Sequence, residues 1–279
     1  MSAPTWLAVC WKWVDHRPDI DPLTGAVQSG DARFGGVSEA DAAALELALR
    51  TAEAWGARVR VVSAGGPDAD RALRDALAAG AHDVVRVDLD TRAASAVTAA
   101  ALADAVADAA LVWCGDYSPD RGSGSVPVFL AAHLGAAGAF GAVAVDVLDD
   151  RLHIVRRLDG GRREVLDVTA PAVISVEGAV ASLRRAPLAA TLRAERHEVR
   201  VIDGPTLPDV PHRPLRPFRP RPRGVPAPRG ATALDRVREL TGTTATSSNR
   251  TEVVHLEPQA AAERILEALR QWGARGDQH

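Results

Sequence analysis

The residues with the clearest chemical potential form a Gly- and Ser-rich segment, GDYSPDRGSGSVP, at positions 115–127. Gly122 and Gly124 stand just before a predicted helix, and glycines let backbone N–H groups approach a phosphate closely. The amino-terminal end of a helix also favours an anion, and Ser123 and Ser125 add hydroxyl donors. The segment therefore predicts a phosphate-binding loop. It has neither the lysine of a Walker A motif nor a GxGxxG pattern, so neither of those mechanisms is implied.

Side chains suited to acid–base, nucleophilic or metal chemistry do not form a recognisable motif elsewhere. The eight histidines show no spacing of the HExxH type, and Ser63 has no GxSxG motif around it. Cys10 and Cys114 each end an apolar run, which predicts two buried thiols instead of a disulfide framework or a metal site. We therefore expect no catalytic residues and no metal ligands in this chain.

The composition is that of an ordinary globular chain of 279 residues, with 47% hydrophobic and 25% charged residues. A formal net charge of −3 gives no sign of polyanion binding, so nucleic acid is not an expected partner. No apolar run approaches the roughly 20 residues that a membrane-spanning helix needs, and the amino terminus lacks signal-peptide architecture. We expect a cytoplasmic protein without membrane insertion. Lys12 is the only lysine among the 33 Lys and Arg residues, which we interpret as a compositional bias.

The elements that position the Gly- and Ser-rich segment alternate between strands and helices. The unbroken apolar run at residues 6–11 predicts a strand that is covered on both faces. Ser38 is suited to cap a helix with Asp41 at its third position, as in a capping box, and Gly56 is suited to end it. Further strands are predicted at residues 59–64, 84–87 and 110–114, and further helices at 67–80, 93–107 and 128–134. This alternation predicts right-handed crossovers and a doubly wound, mostly parallel α/β sheet.

After residue 140 the pattern changes to consecutive strands. Residues 143–148, 152–158, 165–168 and 173–176 predict an antiparallel extension of the same sheet, and residues 198–202 predict a closing strand. Asp159, Gly160 and Gly161 supply a turn, because glycine accepts a positive φ, and Pro171 marks the entry of a new strand. Turn signals within residues 15–36 predict a hairpin-like excursion after the first strand.

The order of residue types in residues 154–175 resembles the pattern of the electron-transfer flavoprotein β subunit. Every position of that pattern is filled at the expected spacing, by Ile154, Arg156, Asp159, Gly160, Gly161, Glu164, Leu166, Pro171 and Ser175. The resemblance implies a Rossmann-like fold of the adenine nucleotide α-hydrolase kind, with a C-terminal arm. It also implies an FAD shared with an α subunit and a structural AMP, which a second FAD replaces in electron-bifurcating relatives.

The resemblance further implies which positions hold the AMP. Carried over by position, they are Val9, Val37, Ser38, Glu39, Ala40, Ala64, Asp120, Arg121, Gly122, Ser123, Gly124, Ser125 and Val126. The family usually has an Asn-Pro pair where this chain has Val37 and Ser38, and a Gln-Thr-Gly-type sequence where this chain has GSGSV. Backbone contacts to the nucleotide would survive these changes, whereas side-chain contacts to the base would differ.

A second implied feature is the loop by which the family docks on its redox partner. By position it maps to residues 177–194, with Arg184, Arg185, Pro187 and Leu188 as the recognition residues and Leu188 as the anchor. The usual loop has Leu-Pro followed by lysines, whereas this chain has Pro-Leu among arginines. Since arginine is a rigid bidentate group, we expect a different redox partner. A solvated basic helix is the alternative interpretation of this segment.

The chain divides into three predicted regions. Residues 1–203 form a nucleotide-binding α/β domain, residues 204–230 a Pro/Arg-rich linker, and residues 231–279 a helical arm that docks on the partner subunit. The arm contains predicted helices near residues 234–240 and 258–272, and the second has an apolar face.

These expectations describe the β subunit of a heterodimeric electron-transfer flavoprotein. It would accept electrons from flavin-dependent dehydrogenases through the FAD held with the α subunit, and pass them to a quinone oxidoreductase or another downstream acceptor. Such a carrier needs no catalytic residues of its own, because the flavin performs the chemistry. The alternatives are a nucleotide sensor related to universal stress proteins, or an assembly partner without AMP.

Overall fold

The computed structural model describes residues 5–28, 32–205, 227–228, 230–241 and 254–271. The chain separates into two compact units, residues 1–218 and residues 219–279. The predicted Pro/Arg-rich linker lies almost entirely outside the described residues, as does Trp272 at the end of the predicted arm.

The first unit alternates strands and helices and then continues with consecutive strands. Its strands are β1 (Trp6–Cys10), β2 (Trp13–Asp15), β3 (Asp19–Ile20), β4 (Val27–Gln28), β5 (Gly35–Val37), β6 (Arg58–Ala64), β7 (Asp83–Asp88), β8 (Ala109–Gly115), β9 (Ala137–Val147), β10 (Leu152–Arg157), β11 (Arg163–Val168), β12 (Ala172–Val176) and β13 (Arg200–Asp203). Its helices are α1 (Glu39–Trp55), α2 (Ala69–Ala79), α3 (Ser95–Val106), α4 (Val126–Leu134) and α5 (Leu188–Glu195). The second unit contains α6 (Ala233–Leu240) and α7 (Pro258–Gln271).

Nine strands form one sheet in the order β11-β10-β9-β12-β8-β1-β6-β7-β13. From β9 to β13 along this order all neighbours are parallel, whereas β10 is antiparallel to both β9 and β11. Helices α1 and α2 pack on one face of the sheet, and α3 and α4 pack on the other. This confirms the predicted doubly wound, mostly parallel α/β fold.

The chain reverses its direction of winding at β1. It passes from β1 to β6 and β7 on one side, then crosses back to β8 on the other side of β1. Such a switch point opens a crevice at the carboxyl ends of the strands, where α/β folds bind their ligands. The excursion after β1 folds as two small antiparallel pairs, β2 with β5 and β3 with β4, as its turn signals predict.

One strand does not run as the sequence pattern indicated. The sequence pattern places residues 173–176 in the antiparallel extension, but β12 lies parallel between β8 and β9. All five residues of β12 are buried, which is the environment of a central strand. Gly141 allows the arrangement, because its φ of 72° turns β9 and its N–H donates to Ser175 Oγ at 3.0 Å. Strand β9 therefore pairs with β12 along its first half and with β10 along its second half.

Neither of the two helices of the second unit contains a buried residue within its described length. Helix α6 begins with a capping box between Thr232 and Asp235. Helix α7 has the predicted apolar face, on which Ile265, Leu266 and Leu269 are exposed. No helix among the residues that the structure describes is long and apolar enough to cross a membrane.

Candidate functional site

The predicted nucleotide residues lie around the carboxyl ends of β1, β6 and β8. Val9 is within β1, Ala64 ends β6, and the run that begins at Asp120 joins β8 to α4. Parallel strands end at the same edge of a sheet, so these distant parts of the sequence share the crevice at the switch point. The exposed members of the set are Glu39, Asp120, Arg121, Gly122 and Ser123. The Val9 side chain is entirely buried in the core and is not available to a ligand.

The base of the crevice is held together by a carboxylate at the start of α1. Asp41 Oδ2 accepts from the backbone N–H of Lys12 at 3.1 Å, and Oδ1 accepts from the N–H of Gly115 at 3.1 Å. A Cβ on Gly115 would clash with the same carboxylate, so the close approach requires glycine. Burial raises the pKa of Asp41 to about 7, although the two hydrogen bonds and the charge of Lys12 oppose the rise. Asp41 thus links the ends of β1 and β8 to α1.

Sequence reasoning assigned Asp41 only to a capping box. Ser38 Oγ does accept from the Asp41 N–H at 3.0 Å, as an N-cap residue should. The Asp41 side chain also has a side-chain hydrogen bond with Ser38, but its two oxygens reach the backbone N–H groups of Lys12 and Gly115 as well, which a capping box does not require. An acidic residue in the first turn of a predicted helix was visible in the sequence. Its partners Lys12 and Gly115 are distant in sequence, so the sequence did not indicate that the fold would bury it.

An ion pair closes the crevice between the β1 and β8 loops. Lys12 Nζ donates to both oxygens of Asp120, at 2.7 and 2.6 Å, and to Ser118 Oγ at 3.2 Å. Partial burial acts to raise the pKa of Asp120, but the hydrogen bonds from Lys12 and Ser118 outweigh it and lower the pKa. Sequence reasoning did not place Lys12 in the site, because its partners are more than a hundred residues away.

The same loop is tied on its other side to the connection between β7 and α3. The Arg121 guanidinium donates to the Ala93 carbonyl at 2.6 Å and to the Thr91 carbonyl at 3.4 Å. The loop that enters α4 is therefore held to two neighbouring loops of the same edge.

The Gly- and Ser-rich run has the backbone that a phosphate loop needs. Gly122 and Gly124 have φ values of 63° and 56°, and a Cβ on Gly124 would clash with the Asp116 carbonyl. Ser125 stands at the N-cap of α4, but its side chain makes no capping bond, and its hydroxyl lies 3.0 Å from Ser123 Oγ. The first turn of α4 is thus not capped by a side chain, which suits an anion.

Three buried side chains near this edge, one serine and two cysteines, carry polar groups. Ser63 Oγ, next to Ala64 at the end of β6, is buried and has no hydrogen-bond partner. Cys10 and Cys114 are buried free thiols on neighbouring strands, as predicted. The hydrogen bond between them, together with burial, raises the pKa of Cys114, so this thiol stays protonated near neutral pH.

Comparison with known proteins identifies the family. The model of the electron transfer flavoprotein domain matches residues 31–206, well over half of the chain. The chain belongs to the electron transfer flavoprotein family. The matched region contains Ser38, Ala64, the whole loop into α4 and the 154–175 stretch.

Individual relatives support a β-type member of this family. An electron transfer flavoprotein subunit beta from Clostridium acetobutylicum is 32% identical over 178 residues, which are 61% of this chain and 67% of that protein. One from Syntrophomonas wolfei is 30% identical over 178 residues, covering 58% of this chain and 70% of that protein. Protein FixA of Bradyrhizobium diazoefficiens is 31% identical over 207 residues, covering 68% of this chain and 70% of that protein. The predicted resemblance to electron-transfer flavoprotein β subunits is confirmed.

Residues 154–175, which first indicated the electron transfer flavoprotein family, stabilise the antiparallel part of the sheet. Gly160 and Gly161, with φ values of 70° and 75°, make the turn between β10 and β11. Arg156 forms an ion pair with Glu164 across these strands, and they are register partners. Ser175 receives the Gly141 N–H where β9 turns. The residues of this pattern therefore shape the extension of the sheet.

The predicted recognition segment has one part that binds this chain's own helix α1 and one part that is exposed. Arg184 forms ion pairs with Glu46, whose side chain is buried, and with Glu53, both on α1. Its guanidinium therefore holds the segment to this chain's own helix. Arg185 and Pro187 are exposed, and Leu188 is 74% exposed at the start of α5. Leu192, one helical turn later, is also exposed, so these two leucines form an apolar pair on the surface.

Metal chemistry receives no support from the part of the chain that the structure describes. No group of three or more His, Cys, Asp or Glu side chains there is arranged to hold a metal ion.

Proposed function

We propose that this chain is the β subunit of a heterodimeric electron-transfer flavoprotein. Together with an α subunit it would hold one FAD, which accepts electrons from flavin-dependent dehydrogenases and passes them to a quinone oxidoreductase or another acceptor. The observation that carries the proposal is the family match over residues 31–206, because it includes both the loop into α4 and the 154–175 stretch.

The loop from Asp120 to Val126 is assigned to the phosphate of a structural AMP. The left-handed glycines and the uncapped first turn of α4 fit a phosphate, since they leave backbone N–H groups for an anion. The adenosine would lie along the ends of β1 and β6, near Val37, Ser38, Glu39, Ala40 and Ala64. Ser63 Oγ adds a buried hydroxyl without a partner at the end of β6.

FAD supplies the electron-transfer chemistry when it is bound, and the protein contributes binding, orientation and electrostatics. In this proposal the α subunit holds most of the FAD and this chain closes the site from one side. The exposed apolar face of α7 would dock on the α subunit.

The recognition of a dehydrogenase is assigned to the exposed part of the segment that precedes and begins α5. Leu188 is the proposed anchor, supported by its exposure and by Leu192 beside it on the helix. Arg185 would contribute a charged contact at the edge of this apolar pair. Arg184 would position the segment through Glu46 and Glu53.

Co-expression with the candidate α subunit tests the proposal. The copurified complex is denatured, and the released nucleotides are identified and counted by mass spectrometry. One FAD and one AMP per heterodimer are expected. Two FAD would indicate a bifurcating member, and FAD without AMP would support the assembly partner that lacks AMP. Failure to form a complex, with AMP or ATP bound to this chain alone, would contradict the proposal in favour of a nucleotide sensor.

A pair of glycine variants connects the AMP to the assigned loop. Gly124→Ala places a Cβ against the Asp116 carbonyl, whereas Gly135→Ala, at the other end of α4, has a similar φ but meets open space. The complex with Gly124→Ala should keep FAD and lose AMP, and the complex with Gly135→Ala should keep both. Equal AMP content in the two complexes would contradict the assignment of this loop to the nucleotide site.

A further inference from the structure

Lys12 is the only lysine in a chain whose 33 Lys and Arg residues are otherwise all arginine. It follows β1 directly and lies at the crevice where the strand order reverses. Its backbone N–H is fixed by Asp41, so the base of the side chain has a defined position. In a chain whose other basic residues of this kind are all arginine, a single lysine is informative, because lysine and arginine bind anions differently.

The ammonium group of Lys12 has three donors, and all three face oxygen atoms. Two of these oxygens belong to Asp120 and the third to Ser118, at distances between 2.6 and 3.2 Å. Both partners of the ion pair are accessible, with side-chain exposures of 38% for Lys12 and 35% for Asp120. The pair is therefore within reach of a ligand in the crevice.

The pair adjoins the loop that we assign to the phosphate. Asp120 Oδ1 also accepts from the Arg121 N–H at 2.9 Å, and Gly122 follows immediately. Arg121 itself donates to the Thr91 and Ala93 carbonyls, so its guanidinium is held on the far side of the loop. Among the described residues, Lys12 and Arg121 are the cations with hydrogen bonds at this loop, and Lys12 is the one whose partner is an anion that a phosphate can replace.

We propose that Lys12 is the cation that receives the phosphate of a nucleoside monophosphate, and that Asp120 holds the ammonium in place until the phosphate displaces it. This inference rests on the proposed nucleotide site and adds a residue and an exchange of partners to it. Phosphate and carboxylate oxygens are comparable acceptors, but two anions beside one ammonium repel each other. The compact ammonium on a flexible stem can change partner, whereas the rigid fork of arginine would favour a fixed bidentate pair with Asp120.

The exchange makes the two halves of the ion pair respond in opposite directions. Lys12→Met removes the cation, so AMP should bind about tenfold to a hundredfold more weakly, as expected for loss of a charge-assisted hydrogen bond. Asp120→Asn removes the competing anion, so AMP should bind at least as tightly as it binds to the wild-type chain. If the pair served only to tie the loops together, both substitutions would weaken AMP binding.

Isothermal titration of the nucleotide-free, full-length chain with AMP and with adenosine provides the measurement. Adenosine lacks the phosphate, so Lys12→Met should leave its affinity within about twofold of wild type while it weakens AMP. Arg92→Met is the matched control, because it removes one positive charge from a neighbouring loop where Arg92 pairs with Asp90. It should change neither affinity by more than about twofold, as expected of an exposed pair.

The outcomes separate this inference from the function on which it rests. Opposite effects of Lys12→Met and Asp120→Asn on AMP affinity would support the exchange. Equal weakening by both variants, or an unchanged ratio of AMP to adenosine affinity in Lys12→Met, would overturn it while the nucleotide site stands. Absence of AMP binding by the wild-type chain, alone and with its α subunit, would overturn the nucleotide site and this inference together. If Lys12→Met does not fold, the direction in which Asp120→Asn changes the affinity for AMP still tests the exchange: tighter or equal binding supports it, and weaker binding overturns it.

Discussion

The buried Asp41 carboxylate predicts an unusual pH dependence of stability. Burial raises its pKa from the ordinary value of 3.8 to about 7, so the folded chain binds this proton more tightly than the unfolded chain. The stabilisation from this proton is therefore greatest at low pH and is lost as the pH rises from about 3.8 towards 7. With about 1.4 kcal/mol for each unit of pKa, the whole effect is about 4 kcal/mol.

Asp41→Asn isolates this contribution, because asparagine does not titrate and still offers one oxygen to the two N–H donors. The unfolding free energy of the wild-type chain should fall relative to that of Asp41→Asn by about 2–3 kcal/mol between pH 5 and pH 8. Urea denaturation of both full-length chains at several pH values measures the difference. Asp104→Asn, on the exposed side of α3, is the control and should follow the wild-type chain at every pH.

A difference that does not vary with pH would refute the reasoning, because it would mean that Asp41 is ionised throughout the range. If the N–H groups of Lys12 and Gly115, with the Lys12 ammonium, stabilised the carboxylate more than burial destabilises it, the difference would likewise be constant from pH 5 to pH 8, and the wild-type chain would lose stability relative to Asp41→Asn only below about pH 4. Either result would mean that Asp41 carries a negative charge at the base of the crevice throughout this pH range.

Two further substitutions test the contacts around the site. Arg184→Met should lower the unfolding free energy by about 2–4 kcal/mol, because it leaves the buried Glu46 without its main partner, whereas the exposed Arg185→Met should change it by less than about 0.5 kcal/mol. Equal effects in urea denaturation would contradict the internal role of Arg184. Gly124→Ala should cost about 2–3 kcal/mol from backbone strain and the clash with a carbonyl, against about 1 kcal/mol for Gly135→Ala, where only the strain applies. A smaller cost at Gly124 would show that the loop relaxes.

The elements that the sequence predicted well are those whose signals are local. The apolar run of β1, the Ser38 cap and the Gly56 stop each act within a few residues, and all three are present in the structure. The hairpin at Gly160 and Gly161 likewise depends on a local turn. Alternation of such elements was sufficient to predict the doubly wound sheet.

The features that escaped prediction depend on contacts between distant residues. Strand β12 begins with the apolar run at residues 172–174, but its parallel insertion between β8 and β9 depends on the turn at Gly141, more than thirty residues earlier. Lys12 and Asp120 are remote in sequence and meet only because β1 and β8 are neighbours. Periodicity and caps contain no information about such pairs.

The recognition segment shows the same limit in another form. Position alone grouped Arg184 with Arg185 and Leu188, yet Arg184 binds α1 and the other two are exposed. The sequence alone does not show whether an arginine binds a helix of its own chain or a partner protein. Only the fold distinguishes these cases, here through the buried Glu46.

The central claim is that this chain shares a flavin with an α subunit. Flavin absorbance after gel filtration tests it most directly, with FAD added to this chain, to the α subunit, and to an equimolar mixture of the two. We expect this chain alone to retain little or no flavin, and we expect the mixture to elute as a complex with its flavin spectrum. A mixture that retains no more flavin than the two chains retain separately, or separate elution of the two chains, would contradict the assignment of a β subunit that shares its cofactor.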